Sequence, residues 1–391
     1  MTATVATLAD TSPAGLPDEA FVAALAVLDG MTSARLRALL RGRTGRQAWQ
    51  AVVEDWADET LDRLAATDPG LRARWRVSTL TCDLVESAWS DCRRLGVHVL
   101  VWGRAGYPLA LLHDPSPPPV LFARGNLAAL ETRRVGIVGT RNATPGGRRM
   151  ARALGRELAE AGVGVVSGLA RGIDGAAHLG VRDATDHGGA GPIAVVGSGP
   201  DVVFPREHRE LWEWIATDGL LLTEYPPGTT PLPAHFPQRN RVIAGLSELL
   251  VVVESRATGG SLITVREAIK RGVDVLAVPG SLMNRAAQGT NQLIAEGARA
   301  VLEPSDVLIA LGLDTRRTSS LPFDPRVEPA TGDRVVLAAF EADTLTIDEL
   351  VARTGNDTIA TALAVGRLEA GGWLLDIGGW YAPVDHLGPW S

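Results

Sequence analysis

Residues 133–145 read RRVGIVGTRNATP, and this stretch decides the fold class. Residues 135–138 form a short apolar run, which predicts a buried strand. Thr144 and Pro145 suit the N-cap and the first position of a helix. The glycine-containing turn between them suits a phosphate, because small residues let backbone N–H groups and the helix N-terminus approach an anion. The same turn is also expected wherever a strand and a helix simply pack closely.

Working outward from this stretch, short apolar runs alternate with helical patterns from residue 133 to about 311. The predicted strands are 135–138, 163–166, 193–196, 220–223, 249–253 and 275–278, and the predicted helices are 148–161, 206–217, 239–246, 261–271 and 289–296. Nearly continuous apolar strands that alternate with helices are typical of a parallel sheet covered on both faces. The sequence therefore predicts an α/β fold with a Rossmann-like, doubly wound, mostly parallel sheet.

The flanking segments predict further domains. Residues 1–17 are expected to be a disordered leader, 18–96 a helical domain of SAM or helix-hairpin type, and 97–312 the Rossmann-like domain, whose extension 97–132 holds a strand-like run and a proline-rich connector. Residues 313–330 have linker composition, and 331–391 contain three helical patterns and a hairpin turning at Gly378-Gly379, as in a winged helix. The helical domain suits either a nucleic-acid hairpin or a packing and dimer-contact role.

Charge and cysteine content limit the classes of function. The 391 residues carry a net charge of -7, with Lys270 as the single lysine, so an anion site must be a local group of arginines. Residues 313–391 hold six Arg against twelve Asp and Glu, which favours protein contact over DNA reading in that domain. Cys82 and Cys92 fit neither a disulfide framework nor a metal site. With no signal peptide and no long apolar run, we expect a cytoplasmic protein that does not bind membranes.

Small-residue turns follow several of the predicted strands. Because the carboxyl ends of parallel strands line one crevice, these turns predict a single anion-binding edge. Its candidate residues are Gly139, Thr140, Arg141, Ser167, Gly168, Arg171, Gly172, Gly197, Gly199, Gly260 and Ser261. The dinucleotide spacing G-x-G-x-x-G is absent, and no acidic residue follows the second strand, so NAD is disfavoured and no cofactor is expected.

The proline-rich segment 231–241 adds an aromatic ring and two guanidinium groups, and is interpreted as a loop. Phe236 offers a face for base stacking, while Arg239, Asn240 and Arg241 offer polar contacts, a combination that suits single-stranded nucleic acid. The alternative is that Phe236 anchors the loop on the core.

Eight ordered motifs between residues 130 and 310 together resemble the DprA/Smf family of bacterial DNA-processing proteins. They are GTR at 139–141, SGLARGID at 167–174, FPREH at 204–208, EYPPG at 224–228, HFPQRNRVIAGL at 235–246, GSLIT at 260–264, VPG at 278–280 and GTN at 289–291. The resemblance implies a non-enzymatic protein that binds and protects incoming single-stranded DNA during natural transformation. It further implies a homodimer formed through the Rossmann-like domain and help in loading the RecA recombinase.

Three positions of the chain match DNA-contacting positions of the family, namely Arg141, Phe236 and Arg239. The chain departs from the family pattern at Thr140, where many members have Ser, and at Phe204, where Tyr is common. Pro233 replaces a residue that is basic in some relatives, which puts the affinity and the base stacking of this loop in question.

Two other classes of function compete with a DNA-binding protein. A nucleotide-processing enzyme of the phosphoribohydrolase-like group would carry P-G-G-x-G-T-x-x-E, but residues 258–267 lack the proline, have Leu262 for the third glycine and place Glu267 one residue late. A structural adaptor that recruits a recombinase would not need the arginine and glycine crevice. His178 is interpreted as a helix-packing or hydrogen-bonding residue rather than a base.

Overall fold

The computed structural model describes residues 15–54, 59–81, 83–185, 189–313, 326, 329–340 and 344–384. The chain divides into two units, residues 1–313 and residues 314–391. The predicted leader falls almost wholly outside the described residues, as does most of the predicted linker. Among the described helices, none has the length and the apolar character that a membrane crossing requires.

A nine-stranded sheet forms the centre of the first unit. Its strands are β1 Val97–Val101, β2 Val120–Gly125, β3 Arg134–Val138, β4 Gly164–Ser167, β5 Ile193–Val195, β6 Leu220–Thr223, β7 Leu249–Val252, β8 Asp274–Ala277 and β9 Arg299–Ala300. The strand order is β1-β2-β6-β5-β4-β3-β7-β8-β9. All pairs from β6 to β9 are parallel, whereas β1 and β2 add an antiparallel edge. The predicted mostly parallel α/β sheet is confirmed.

The order of the strands reverses at β3, which has β4 on one side and β7 on the other. In such sheets the crevice outside the carboxyl ends at the reversal point is the usual place for a ligand. Six strands were expected and all are present, but β2 and β9 were not predicted. β2 follows the proline-rich connector, and β9 has two residues, too few for a hydrophobic period.

Helices cover both faces of the sheet. They are α7 Leu109–Leu112, α8 Pro145–Glu160, α9 Ile173–Thr185, α10 Arg209–Asp218, α11 His235–Leu246, α12 Ser261–Ile269, α13 Gln288–Ala295 and α14 Ser305–Ala310, after six N-terminal helices described below. The interpretation of 231–241 as a loop is wrong from His235 onward, because α11 begins there. Pro237 lies in its first turn, where a missing backbone N–H leaves no hydrogen bond unmade. Phe236 is therefore held on a helix.

The N-terminal helices pack on the antiparallel edge of the sheet. They are α1 Asp18–Ala26, α2 Ser33–Leu40, α3 Gly45–Val53, α4 Glu59–Thr67, α5 Leu71–Thr81 and α6 Leu84–Arg94. Their buried side chains share one core with Val99 of β1 and Phe122 of β2. The Asp18 carboxylate accepts the backbone N–H groups of Gly45 and Arg46 at 2.6 and 2.9 Å. Since a side chain already fills the N-terminus of α3, the packing role of these helices is favoured over a phosphate-binding hairpin.

The second unit contains the three helices and the hairpin that its sequence predicts. They are α15 Thr331–Ala338, α16 Ile347–Thr354, α17 Thr358–Ala370, β10 Leu374–Asp376 and β11 Tyr381–Pro383. Phe340, Leu350 and Leu368 are buried in its core. Gly378 and Gly379 have φ of 67° and 91° at the hairpin turn, a backbone region that glycine adopts without strain.

Candidate nucleic-acid interface

The predicted site residues lie at the carboxyl ends of β3, β4, β5 and β7 and at the start of α11. Six of them line one pocket, hereafter the aromatic pocket: Arg141, Gly168, Arg171, Gly197, Phe236 and Arg239. The other predicted residues do not line it. They are Gly139, Thr140, Ser167, Gly172, Gly199, Asn240, Arg241, Gly260 and Ser261.

Two phenylalanine rings form the apolar part of the aromatic pocket. Phe236 and Phe204 have ring centroids 5.3 Å apart, tilted by 40°, and Phe204 is 39% exposed. A Cβ atom at Gly197 would lie 3.3 Å from the Phe236 ring, so glycine lets the ring rest against the end of β5. Phe204 was not predicted as a site residue, although it stands in the FPREH motif. An aromatic pair with one exposed and one half-buried ring is suited to stacking on a base.

Two arginines present exposed guanidinium groups at the aromatic pocket. The Arg141 guanidinium lies over the Phe236 ring, with Cζ 5.0 Å from the centroid, and makes no ion pair with a carboxylate of the described residues. Arg171 makes an ion pair with Glu207 at 3.1 Å, with both side chains more than half exposed. Exposed pairs of this kind contribute little to stability, so an incoming phosphate can displace the carboxylate at small cost.

Arg239 is not placed as predicted, because its guanidinium forms the floor of the aromatic pocket. The side chain is only 4% exposed, and its Nη1 donates a hydrogen bond to the carbonyl of Val195 at 2.6 Å. It fills the space that a Cβ at Gly168 would need. Burial lowers the pKa of Arg239 to about 10, against the attraction of Asp174, so it remains charged at neutral pH. A guanidinium group so enclosed gives no support to the predicted nucleic-acid contact of Arg239.

The turn after β4 is held by an internal carboxylate. Asp174 is buried close to the backbone of Gly168 and Ala170. Burial raises the pKa of Asp174, whereas Arg239 and the nearby backbone N–H groups oppose the rise. A negative side chain of the protein therefore lies beside the turn that the sequence suggested as a phosphate cradle.

The remaining predicted residues of this turn are also structural. Ser167 donates a hydrogen bond to the carbonyl of Ile137 at 2.6 Å, out of contact with solvent. Gly172 has φ of +79° and lies against the carbonyls of Thr140 and Arg141, where a side chain would collide. Its role is the close approach of two turns, which keeps Arg141 at the edge of the pocket.

The N-terminus of α8, the predicted phosphate cradle, is occupied by Glu254 from the end of β7. The carboxylate of Glu254 accepts the Thr144 backbone N–H at 2.9 Å and the Thr144 hydroxyl at 2.5 Å. A Cβ at Gly147 would collide with the same carboxylate, and Gly139 packs against the Glu254 carbonyl. Because the N-terminus of a helix favours negative charge, the chain supplies that charge itself. The Thr144 N–H is therefore engaged within the chain, and the structure gives no support to the predicted phosphate site at this turn.

Arg241 is also used internally. Its guanidinium makes an ion pair with the buried carboxylate of Glu224 and donates to the carbonyl of Ser116 at 2.5 Å. Ser33 of α2 donates its hydroxyl to the same carboxylate at 2.8 Å. Arg241 therefore ties α11 to the N-terminal helices, and this internal engagement gives no support to its predicted contact with nucleic acid. Asn240 beside it is half-buried.

Gly199, Gly260 and Ser261 flank the aromatic pocket at a distance from its rings. The Gly199 N–H donates to the carbonyl of Thr229 at 2.9 Å. Ser261 is buried, and its hydroxyl donates to the Ser255 hydroxyl at 2.9 Å. Gly260 begins the turn into α12 and has open space above its Cα. Gly260 and Ser261 thus lie beyond Glu254, on the β7 side of the reversal point.

The structure also places the residues that bear on an enzymatic alternative. Glu267 lies on α12 and makes ion pairs with Arg271 and Lys270, each at 2.7 Å. His178 is fully buried on α9, and burial lowers its pKa to about 3, so it is neutral at physiological pH. Among the described residues, no group of His, Cys, Asp and Glu could hold a metal ion.

The chain is similar in sequence and in structure to DprA proteins of several bacteria. The DNA processing protein DprA of Bacillus subtilis is 40% identical over 216 residues, which is 55% of this chain and 71% of that protein. The crystal structure of DprA from Streptococcus pneumoniae has a TM-score of 0.61 and 32% identity, and the match covers 75% of this chain and 98% of that one. A structure of the Helicobacter pylori protein, described for its single-stranded DNA binding mode, has a TM-score of 0.50 and 27% identity over 56% and 97% of the two chains.

The family model of DNA recombination-mediator protein A matches residues 98–312. This segment contains the whole parallel sheet and every residue of the aromatic pocket, and it is more than half of the chain. The resemblance found in the sequence motifs is thereby confirmed. The chain belongs to the family of DNA recombination-mediator protein A, the DprA/Smf proteins.

Proposed function

We propose that this protein binds single-stranded DNA in the cytoplasm during natural transformation, protects it and helps to load the RecA recombinase onto it. The observation that carries the proposal is the placement of the exposed Arg141 guanidinium against the Phe236 ring. One group suits a phosphate and the other a base, so the pair matches the repeating unit of a nucleic acid strand.

In the proposed complex, fewer residues contact the DNA than the glycine turns of the sequence suggest. Arg141 and Arg171 bind phosphates, and Phe236 stacks on a base with Phe204 beside it. Arg239 and Asp174 keep the turn after β4 in shape and do not touch DNA. Because every base has a stacking face and every nucleotide a phosphate, binding is nearly independent of sequence.

The relatives support single-stranded DNA as the partner in this proposal. The Helicobacter pylori protein is described as binding single-stranded DNA, and the family is named for mediating recombination. We propose a homodimer, because two pockets on one strand raise the overall affinity without new contacts. Recombinase loading and the dimer are taken from the family.

A nucleotide-processing enzyme is the alternative, and two observations disfavour it. The aromatic pocket encloses about 20 Å³, room for about one water molecule, whereas small-ligand pockets usually measure roughly 300–1,000 Å³. Glu267, the nearest match to the catalytic carboxylate of that group, is engaged in ion pairs on α12. We therefore propose a binding protein without catalytic activity.

The test is a fluorescence-anisotropy titration of labelled oligo(dT) at several salt concentrations, with duplex DNA and a mononucleotide as competitors. Loss of one phosphate contact changes the slope of log K against log salt by roughly 0.7 for a single strand. We expect Arg141→Ala to bind more weakly with a slope shallower by that amount, and to support less RecA ATPase on the same DNA.

The matched control is Arg94→Ala, which removes an exposed arginine paired with Asp91 at the end of α6. It should retain the affinity and the slope of the wild type. Full affinity and an unchanged slope for Arg141→Ala would refute the proposed site. Preference for the mononucleotide would favour the enzyme instead.

A further inference from the structure

We infer that the DNA-binding path does not end at the aromatic pocket but crosses the reversal point of the sheet to a second phosphate contact, Arg256, after β7. This inference rests on the proposed function and extends it. It assigns the bound strand a route over the protein surface, from the ends of β4 and β5 over β3 towards β7. It also gives the predicted residue Gly260, which is exposed, a place beside the DNA.

Arg256 follows β7 as Arg141 follows β3, and the ends of these two neighbouring strands are joined by a hydrogen bond. The Thr140 N–H donates to the carbonyl of Glu254 at 2.8 Å, so the two strands run side by side up to these residues. Arg141 follows Thr140 directly, and Arg256 follows Glu254 by two residues. Neighbouring strands are about 4.8 Å apart, so both arginines leave the same edge of the sheet within the reach of a few nucleotides.

The backbone of Arg256 is held in a rigid turn. Its carbonyl accepts the Gly259 N–H at 2.9 Å and the Ser255 hydroxyl at 3.0 Å. From α13, the Gly289 N–H donates to the Ser255 carbonyl at 2.7 Å. Gly260, a few residues on, adds no side chain that would block an approaching strand.

The side chain of Arg256 is available for an anion. It is exposed and makes no ion pair with a carboxylate of the described residues. The nearest acid in sequence, Glu254, turns its carboxylate to Thr144 and α8. The negative charge at the reversal point is therefore buried and engaged, while the positive charges of Arg141 and Arg256 on either side remain exposed.

A length-dependent titration tests this path. Wild type, Arg141→Ala and Arg256→Ala are titrated with oligo(dT) of roughly 5 and 15 nucleotides, a range that spans known single-strand site sizes, at several salt concentrations. We expect Arg256→Ala to bind the short oligomer as the wild type does. On the long oligomer its salt slope should be shallower by roughly 0.7. Arg141→Ala should be weakened on both lengths.

Two control variants separate the charge of Arg256 from other effects. Arg256→Lys keeps the positive charge and should keep the wild-type slope. Arg266→Ala removes an exposed arginine farther along α12 and should leave both oligomers unaffected. Thermal melts of each variant confirm that the fold is retained.

A wild-type slope for Arg256→Ala on the long oligomer would overturn the inference while leaving the proposed function intact, provided that Arg141→Ala is weakened. Equal weakening of Arg256→Ala on both lengths would also overturn it, because Arg256 would then belong to the aromatic pocket. If the wild type binds neither oligomer, the proposed function fails and the second contact fails with it.

Discussion

The N-terminus of α8 and the aromatic pocket lie at the same edge of the sheet, yet only the pocket is open to a ligand. Both follow a strand that ends in a glycine turn, and both were predicted to bind phosphate. At α8 the carboxylate of Glu254 fills the position of the anion. At the pocket, Asp174 is buried beside the backbone of Gly168 and Ala170, while Arg141 is exposed and Phe236 is half-buried. An acidic side chain thus lies at both turns, and what distinguishes the pocket is the exposed Arg141 guanidinium beside the Phe236 ring.

The largest effect that would test this comparison is expected from Arg239→Ala, which removes the floor of the aromatic pocket. The substitution removes the hydrogen bond to the buried Val195 carbonyl and the nearby positive charge that favours the ionised Asp174 carboxylate, and a buried polar group left without its partner costs about 1–3 kcal/mol. Urea denaturation monitored by circular dichroism should show a loss of this size, with Arg239→Lys less affected. A variant of normal stability with greatly reduced DNA affinity would restore Arg239 as a phosphate ligand.

An intermediate effect is expected at the open face of the aromatic pocket. Phe236→Ala should weaken oligo(dT) binding by about 1–3 kcal/mol, roughly 5-fold to 150-fold, because a base loses its stacking partner. Since no phosphate contact is removed, the salt slope should stay the same. Anisotropy titrations with oligo(dT) and with an abasic oligomer measure both quantities.

Phe236→Trp is the matched variant, since it keeps a stacking face and should keep most of the affinity. The preference for oligo(dT) over the abasic oligomer should shrink in Phe236→Ala alone. If Phe236→Ala instead loses stability and keeps its affinity, Phe236 is an anchor of its segment on the core, the alternative that the sequence left open.

The smallest effect is expected from Glu254→Ala, which opens the N-terminus of α8. Loss of the carboxylate from the Thr144 N–H and hydroxyl should lower the free energy of unfolding by about 1–2 kcal/mol, as for other N-terminal helix caps. The oligo(dT) affinity should not fall. Denaturation and titration of the same preparation give both values, and Glu254→Gln, which keeps one acceptor, should lose less stability.

A fall in DNA affinity without a change in stability would show that Glu254 supports binding rather than the helix. A gain in affinity with a steeper salt slope would sharpen the comparison, since the vacated N-terminus of α8 would then bind the phosphate that Glu254 excludes in the native chain.

The sequence predicts a strand or helix correctly wherever its hydrophobic pattern extends over enough residues. Six apolar runs predicted the parallel strands, and each is present. β9 has only two residues, and β2 follows a run of prolines, so neither gave a periodic signal. The sequence predicts that α11 begins at residue 239, whereas the helix begins at His235. Pro237 suggests a loop, although proline is tolerated in the first turn of a helix.

The candidate site was predicted at the level of its edge but not of its individual contacts. Arg141, Arg171 and Phe236 do meet at the carboxyl ends of the strands, as the order of strands and turns implied. Arg239 and Arg241 follow Pro237 by two and four residues and are engaged within the protein. Arg239 donates a hydrogen bond to the Val195 carbonyl and lies near the charge of Asp174. Arg241 makes an ion pair with Glu224. Their sequence neighbourhood could not reveal this, because these partners come from other strands and helices.

The sequence by itself determined the α/β sheet, the edge at which a ligand can bind and the residue types that gather there, because periodicity and strand direction are local properties. Only the tertiary structure decided which of the similar residues remain free. Glu254 is 110 residues from the Thr144 that it caps, and Asp174 is 65 residues from Arg239. Such long-range contacts determine which charged side chains are buried and engaged. They therefore also determine which arginine side chain remains exposed and can contact a phosphate.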